Sequence, residues 1–407
     1  MTIRQASKAI VATLVLYAWM LPGGTAAAAP PNDGLLPKDV KVPNDAAVAI
    51  YLPSVALKYR FYVGTLGIWA EPGRSLEDAR REVGARYFTQ ALPADFASDG
   101  SYGLFIDLHP TWSYEKLNLK LEMHYRVYGP DASKLLDGTE SHTVGINSSG
   151  MLGGFPNAAM RVTQLVLVDV LRQLHPTAAK FPSTARLSAL NRDLVVDRTK
   201  PVSTGTAFYI NKSGQLLTAA HVVRDCLVLE AQKDGKVMPV KLHASSDMLD
   251  LAIVDSGQPS DHALPLRVGE ETTLGEPVTN VGYPLQGILS ASPNLTRGNV
   301  SARGGLKGSQ GLFQFSAPVQ PGSSGGPVVS DGGELLGITV GTLNASALIQ
   351  QGLLPQNVNF ALDARYAAKF LHQSNVEFSE VTPNAKGDMR SANEAALAAV
   401  LQLSCYE

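Results

Sequence analysis

Cysteine is nearly absent: the 407-residue chain contains two, Cys226 and Cys405. Two distant cysteines make neither a zinc site of cysteine pairs nor a disulfide-dense scaffold. Charge is scarce too. Charged residues are 17% of the chain, and 34 Lys+Arg against 36 Asp+Glu leave a formal net charge of -2. Neutralising nucleic-acid phosphates needs a basic surplus, so no nucleic-acid partner is expected. Long apolar runs are missing as well. Ala9 to Leu21, broken only by Thr13, falls short of the roughly 20 residues that span hydrocarbon. No metal, nucleotide or haem motif occurs, so no cofactor is expected. What the chain does have is a hydrophobic share of 45%, which excludes wholesale disorder and supports sizeable cores.

Arg4 and Lys8 precede that apolar run, and the small residues Gly23 to Ala29 follow it. This is the pattern of a secretory signal peptide, read as residues 1–28, and it places the protein in the periplasm or outside the cell. No membrane span is expected after its removal. Residues 29–45, rich in Pro, Asn, Asp and Lys, read as a linker.

Residues 46–185 read as a small α+β domain. Leu117 to Val127 alternates apolar and polar, which predicts a long half-buried strand in an antiparallel sheet with one wet face. Ala47–Leu52, Tyr59–Ile68 and Leu104–Leu108 are further strand candidates. Leu76, Ala79, Val83 and Tyr87 form one helical stripe after Ser75, and a second helix is predicted from Asn157 to Leu174. Gly150 to Gly154 reads as a loop before it. Asp95, Asp99, His109 and His124 show no ligand spacing and read as surface or satisfied polar groups. The role of this domain is not legible; an envelope protein is its expected partner.

A Pro- and Ser-containing stretch after Pro176 sets a boundary near 190. Beyond it, in residues 195–407, short strands alternate with Gly/Pro turns, the mark of an all-β barrel or sandwich. Asp363 caps a predicted helix from Ala364 to about His372. A polar tail follows, and Ala398 to Cys405 reads as a last strand.

Three stretches of this half belong together. Gly205-Thr206-Ala207-Phe208-Tyr209-Ile210 leads to Thr218-Ala219-Ala220-His221-Val222-Val223. Asp250-Leu251-Ala252-Ile253-Val254 follows, and then Gly322-Ser323-Ser324-Gly325-Gly326-Pro327. A serine hydroxyl is a weak nucleophile until a neutral imidazole takes its proton. The imidazole needs a carboxylate to fix its tautomer, and the developing oxyanion needs backbone N–H donors. These stretches supply all three in the chain order His, Asp, Ser. Asp247 competes with Asp250 for the acid and Ser323 with Ser324 for the nucleophile. The Asp-Leu-Ala and Gly-x-Ser-Gly-Gly frames favour Asp250 and Ser324. His243 and His262 read as surface residues in loops.

On these motifs, with Val281-Gly282-Tyr283-Pro284, Gly298 to Ser301, Gly337-Ile338-Thr339 and Val358 to Ala361, the chain over about 200–375 resembles the trypsin-like serine peptidases of chymotrypsin fold. It stands closest to their bacterial HtrA/Deg branch. The resemblance implies a double β-barrel with a C-terminal helix. It implies His221 as general base, Asp250 as its orienting partner and Ser324 as nucleophile. Gly322, Ser323 and Ser324 would supply the oxyanion hole, and peptides or proteins would be the substrates. In this fold a basic-specific pocket carries a carboxylate six residues before the nucleophile. Pro318 stands there, and Ile338, Thr339 and Val340 form the expected opposite wall, so small or medium apolar P1 side chains are expected. Too little chain follows His372 for a PDZ module, so none is expected. The alternative is a catalytically silent protease-fold binding or envelope-structural protein.

In an exported chain the two cysteines invite a bridge. Cys226 lies five residues after His221, and Cys405 ends the predicted last strand. A bond between them closes a loop worth roughly 4–5 kcal/mol in the chain-entropy account.

Overall fold

The computed structural model describes residues 35–63, 68–115, 118–145, 151–285, 292–305, 309–342, 357–383 and 387–407. The expected signal peptide lies outside the described residues. The chain forms two compact units. One takes the chain up to Tyr51, with Ser75–Ile106 and Pro110–Leu187; the other takes Leu52–Arg74, Asp107–His109 and Ser188–Glu407. Among the described residues no helix is long and apolar enough to cross a membrane.

The first unit is built from β1 (Asn44–Tyr51), α1 (Gly73–Tyr87), β2 (Phe88–Pro93), β3 (Leu104–Glu115), β4 (Asn118–Tyr128), β5 (Lys134–Gly145) and α2 (Met151–Leu174). The sheet order is β2-β1-β3-β4-β5. On β4, Leu119, Leu121, Met123, Tyr125 and Val127 are buried, while the residues between them keep contact with solvent. That is the predicted alternation, and α2 packs on the apolar side of β4 and β5. The predicted stripe Leu76, Ala79, Val83 and Tyr87 is buried on α1.

Three expectations need correction. β1 and β2 pair parallel, so the sheet is mixed; α1 makes the crossover that parallel neighbours require. The helix α2 begins at Met151, so Gly153 and Gly154 are helical, and Pro156 lies inside it. The expected strand Tyr59–Ile68 is instead a short hairpin, Phe61–Val63 against Ile68–Ala70, and it belongs to the second unit.

The second unit contains two sheets. The strands of the first are β6 (Ser203–Tyr209), β7 (Gln215–Thr218), β8 (Val228–Lys233), β9 (Lys236–Pro239), β10 (Lys241–Ser246) and β11 (Leu251–Asp255). The one-turn helix α3 (Ala220–Val223) follows β7. The second sheet has β12 (Leu266–Arg267), β13 (Pro277–Gly282), β14 (Asn294–Ala302), β15 (Leu312–Phe315), β16 (Pro327–Val329), β17 (Leu335–Thr342), β18 (Asn359–Asp363) and β19 (Glu380–Val381). The predicted helix is α4 (Ala364–Gln373), with the Asp363 carboxylate accepting from Arg365 N as its cap. The expected polar tail contains a further helix, α5 (Met389–Ala399), capped by Asp388. Its alanine-rich stripe of Ala392, Ala396 and Ala399 is buried, a pattern too weakly apolar to stand out in sequence. β20 (Val400–Tyr406) comes last.

The second sheet runs β16-β13-β14-β15-β18-β17, and β16 pairs back onto β17, so six strands close into a barrel. The first runs β9-β8-β20-β6-β7-β11-β10 and stays open as a half-barrel. This is the expected two-barrel layout, and β20 is an interior strand of it. It pairs antiparallel with β6 from Ser203↔Cys405 to Phe208↔Val400 and with β8 from Val228↔Tyr406 to Gln232↔Gln402. Cys226 and Cys405 are joined in a disulfide.

Side chains of β6 alternate between two cores. Phe208 and Ile210 pack with Leu217, Val281 and Ile338; Ala207 and Tyr209 pack with Leu216, Leu401 and Cys405. The closed barrel carries one shielded ion pair. Arg267 donates to both oxygens of Glu276, at 2.6 and 3.0 Å, with side chains 7% and 15% exposed. Burial pushes the Glu276 carboxyl up, but the hydrogen bonds from Arg267 and Thr273 outweigh it and hold the group below its ordinary value of 4.5.

A carboxylate with a lowered folded pKa contributes stability above its unfolded pKa and loses it as pH falls through the folded one. Glu276→Gln should therefore cost roughly 3 kcal/mol near neutrality, as for one lost partner of a buried pair. Denaturant titration at several pH values checks this: the gap between wild type and variant should narrow as pH drops below about 4.5.

Candidate active site

His221 sits on α3 directly after β7, whose pairing with β11 brings Thr218 opposite Ala252. Asp250 immediately precedes β11, so the same pairing carries it to His221. Asp250 has φ +49°, the left-handed region that Asp tolerates better than most residues. Both its carboxylate oxygens are used on one residue. Oδ1 accepts from the His221 backbone N–H at 2.9 Å, and Oδ2 lies 2.7 Å from His221 Nδ1. A carboxylate only accepts, so Nδ1 is the donor and the neutral ring keeps its lone pair on Nε2. The competing acid is engaged elsewhere: the Asp247 carboxylate accepts from Arg224 at 2.7 Å.

The Gly322–Gly326 loop leaves the closed barrel and meets the half-barrel at β6. Thr206 N–H donates to Ser324 O at 2.8 Å. A Cβ on Gly205 would stand 2.5 and 2.7 Å from the Val222 methyls and 3.0 Å from Ser324 O. One glycine thus separates the residue after His221 from the backbone of Ser324, and no side chain fits between them. Gly325, with φ +83°, is as constrained: its Cβ would fall 2.3 Å from Thr206 O and 2.7 Å from Ala219 N. The three sequence stretches therefore converge on the junction of the two sheets.

Inside the loop the peptide groups are held one by one. Pro321 O accepts from Leu285 N–H at 2.7 Å, Ser323 O from Gly326 N–H at 2.9 Å, and Thr339 O from Gly325 N–H at 2.7 Å. Ser323 N–H donates to Gln320 O at 3.0 Å. Ser323 is therefore corrected as an oxyanion donor, because its amide is spent in the turn. The Gly322 and Ser324 amides make no hydrogen bond among the described residues. In a trans peptide N–H and C=O point oppositely, so anchoring Pro321 O and Ser323 O turns these two N–H groups away from the anchors.

The expected P1 pocket divides. Pro318 is exposed and Val340 half-buried. Ile338 and Thr339 have no exposed surface, and this removes them from the pocket wall. Ile338 points into the core between the sheets. Thr339 Oγ1 accepts from Asn280 Nδ2 at 2.7 Å, a buried brace behind the loop. His243, expected in a loop, lies on β10 and pairs with Asp255 at 3.1 Å. Two contributors were missed in sequence. Thr206 directly precedes the apolar run Ala207 to Ile210, and Asn359 is a polar residue among Val358, Phe360 and Ala361; that contrast was the available signal. Among the described residues no cluster of His, Cys, Asp or Glu is arranged to hold a metal.

Residues 205–338 match the family model described as a trypsin-like peptidase domain. A Sinorhizobium fredii protein called uncharacterized protein y4bJ is 40% identical over 171 residues, covering 42% of this chain and 27% of that protein. The serine endoprotease DegS of Escherichia coli is 27% identical over 237 residues, covering 51% of this chain and 64% of its own. The crystal structure of the serine endoprotease from Yersinia pestis aligns with TM-score 0.36 and 23% identity, over 44% of this chain and 60% of that one. The chain thus spans less than two thirds of the length of each of these relatives. The second unit therefore contains a stretch, residues 205–338, that is similar to trypsin-like peptidase domains. Over part of its length the chain is thus similar to serine endoproteases called DegS and DegP-like.

Gly325→Ala tests the convergence. Gly235, also at positive φ (+78°), has open space where its Cβ would be. Gly235→Ala therefore pays only the backbone strain, about 1 kcal/mol. Gly325→Ala adds a clash with two backbone segments, and denaturant midpoints should separate the two variants by more than that amount.

Proposed function

We propose that the second unit is a serine endopeptidase acting through an acyl-enzyme, with His221 as general base, Asp250 as its orienting partner and Ser324 as nucleophile. The observation that carries this reading is the double grip of Asp250 on His221, beside a loop whose Gly322 and Ser324 amides are unengaged among the described residues. His221 Nε2 takes the Ser324 proton as Oγ attacks the peptide carbonyl. The resulting imidazolium is stabilised by Asp250, and the oxyanion by the two amides. The same proton then passes to the leaving amine, and water resolves the acyl-enzyme by the reverse sequence. The leader pattern in residues 1–28 and the Cys226–Cys405 disulfide support an exported protein, periplasmic or secreted. The first unit would then meet an envelope protein partner.

Small or medium apolar P1 side chains fit the site. Pro318 leaves the pocket without a carboxylate at its expected base. Asn359 is 2% exposed, pairs with Thr342, and donates through Nδ2 to Ala317 O at 2.7 Å. A side chain so placed, one residue from Pro318, leaves little depth for a long P1 group. A peptide library should be cleaved after residues such as Ala or Val; a profile dominated by Lys or Arg would refute the pocket.

Ser324→Ala, His221→Ala and Asp250→Asn should each lower kcat/KM by orders of magnitude, about 10⁴ for the Asp change, with non-additive doubles. Fluorophosphonate labelling should vanish in Ser324→Ala. Asp247→Asn should stay near wild type. Undiminished peptidase activity in Ser324→Ala would sink the mechanism, whereas a wild-type protein with neither peptidase activity nor fluorophosphonate labelling would favour a silent binding protein.

A further inference from the structure

The peptide between the two amides of the loop is the part most exposed to misorientation. Gly322 has φ +98°, a conformation in which glycine rotates its following peptide at little steric cost. Rotation of the 322–323 peptide would change the torsions on both sides and swing the Gly322 and Ser324 N–H groups apart. Its N–H end is held by Gln320 O. Among the described residues its C=O end is held by one side chain: Thr206 Oγ1 donates to Gly322 O at 2.8 Å.

That hydroxyl is itself fixed. It accepts from Tyr283 N–H at 2.9 Å, so its proton is directed to Gly322 and not shared with that amide. Thr206 is fully buried. Its N–H holds Ser324 O at 2.8 Å, and its carbonyl accepts from Thr218 Oγ1 at 2.8 Å. One residue of the half-barrel thus touches the turn of the closed barrel at Gly322, Tyr283 and Ser324, and on its other side the strand end that leads to His221.

We propose that Thr206 is a positioning residue for peptide hydrolysis: its hydroxyl locks the 322–323 peptide and so keeps the Gly322 and Ser324 amides converged on one oxyanion. The proposal rests on the serine-peptidase reading above. It assigns to a strand of the half-barrel control over a hole built wholly from the closed barrel's loop. Thr206 touches no substrate, and its effect falls on the transition state. Removing a direct oxyanion donor costs about 10²–10³ in kcat, and loosening both indirectly should cost about tenfold to a hundredfold.

The test compares Thr206→Val, which keeps the shape and removes the hydroxyl, with Thr206→Ser, which keeps the hydroxyl, in the full chain; Thr206→Ala replaces the valine variant if that one does not fold. With a chromogenic peptide, the hydroxyl-free variant should lose about tenfold to a hundredfold in kcat with KM within about twofold. Thr206→Ser should recover most of it. Affinity for a peptide boronate, whose tetrahedral adduct mimics the oxyanion, should fall in step with kcat/KM. Binding of an uncleaved peptide to Ser324→Ala should be indifferent to the added change at 206. Equal losses in the valine and serine variants, or an unchanged kcat in the valine or alanine variant, would overturn the proposal. Ser324→Ala retaining full activity would overturn the peptidase reading itself, a separate outcome.

Discussion

A strand buried on both faces has no water to satisfy its backbone, so every peptide group must find a partner in a neighbouring strand. β6 is in that position. Its side chains divide between two cores, and its edges are taken by β7 and β20. Where the β7 ladder stops short of Thr206, the partner comes from the Ser324 loop instead: Thr206 N–H donates to Ser324 O. The junction of the two sheets is therefore an extension of the first sheet's hydrogen bonding into the second. Packing around it admits no side chain at Gly205 or Gly325, so the loop has little choice of position.

The candidate site was largely legible because its chemistry is written in contiguous frames. Thr-Ala-Ala-His, Asp-Leu-Ala and Gly-Ser-Ser-Gly-Gly each combine a reactive group with the small or β-branched residues its strand end requires. Asp247 and Asp250 could be ranked by frame, but the reason became visible only when Arg224 was found holding Asp247. Ser323 and Thr339 show the opposite limit. A motif names the residues of a loop and says nothing of which amides its own turns consume. Burial of Ile338 likewise depends on a barrel closing through β16 and β17, a pairing no local pattern announces.

The all-β second half and its terminal strand were legible from turn spacing and alternation, as was the long strand β4. What escaped were features set by partners far along the chain. The parallel pairing of β1 and β2 leaves no mark on either strand's sequence. α5 hides because alanines bury well against a close neighbour yet carry little apolar signal. Residues 52–74 read as part of the first segment but belong to the second unit. Within that unit Glu407 explains part of this, since its carboxylate accepts from Ser54 Oγ and Val55 N–H, each at 2.9 Å.

The insertion of β20 between β6 and β8 bears on when this domain can be made as well as on how it is held. Synthesis delivers β6 and β8 early, and each then waits for a strand that emerges about 170 residues after β8. Until then β6 and β8 each present an unpaired edge, the kind of edge that recruits stray strands. Contacts of such sequence separation form slowly. The growing chain thus passes through a stage in which the Gly322–Gly326 loop has been made but the strand beside it is still missing one neighbour. The half-barrel is therefore completed only once β20 has been made, and the waiting edges of β6 and β8 are where a holding chaperone would act.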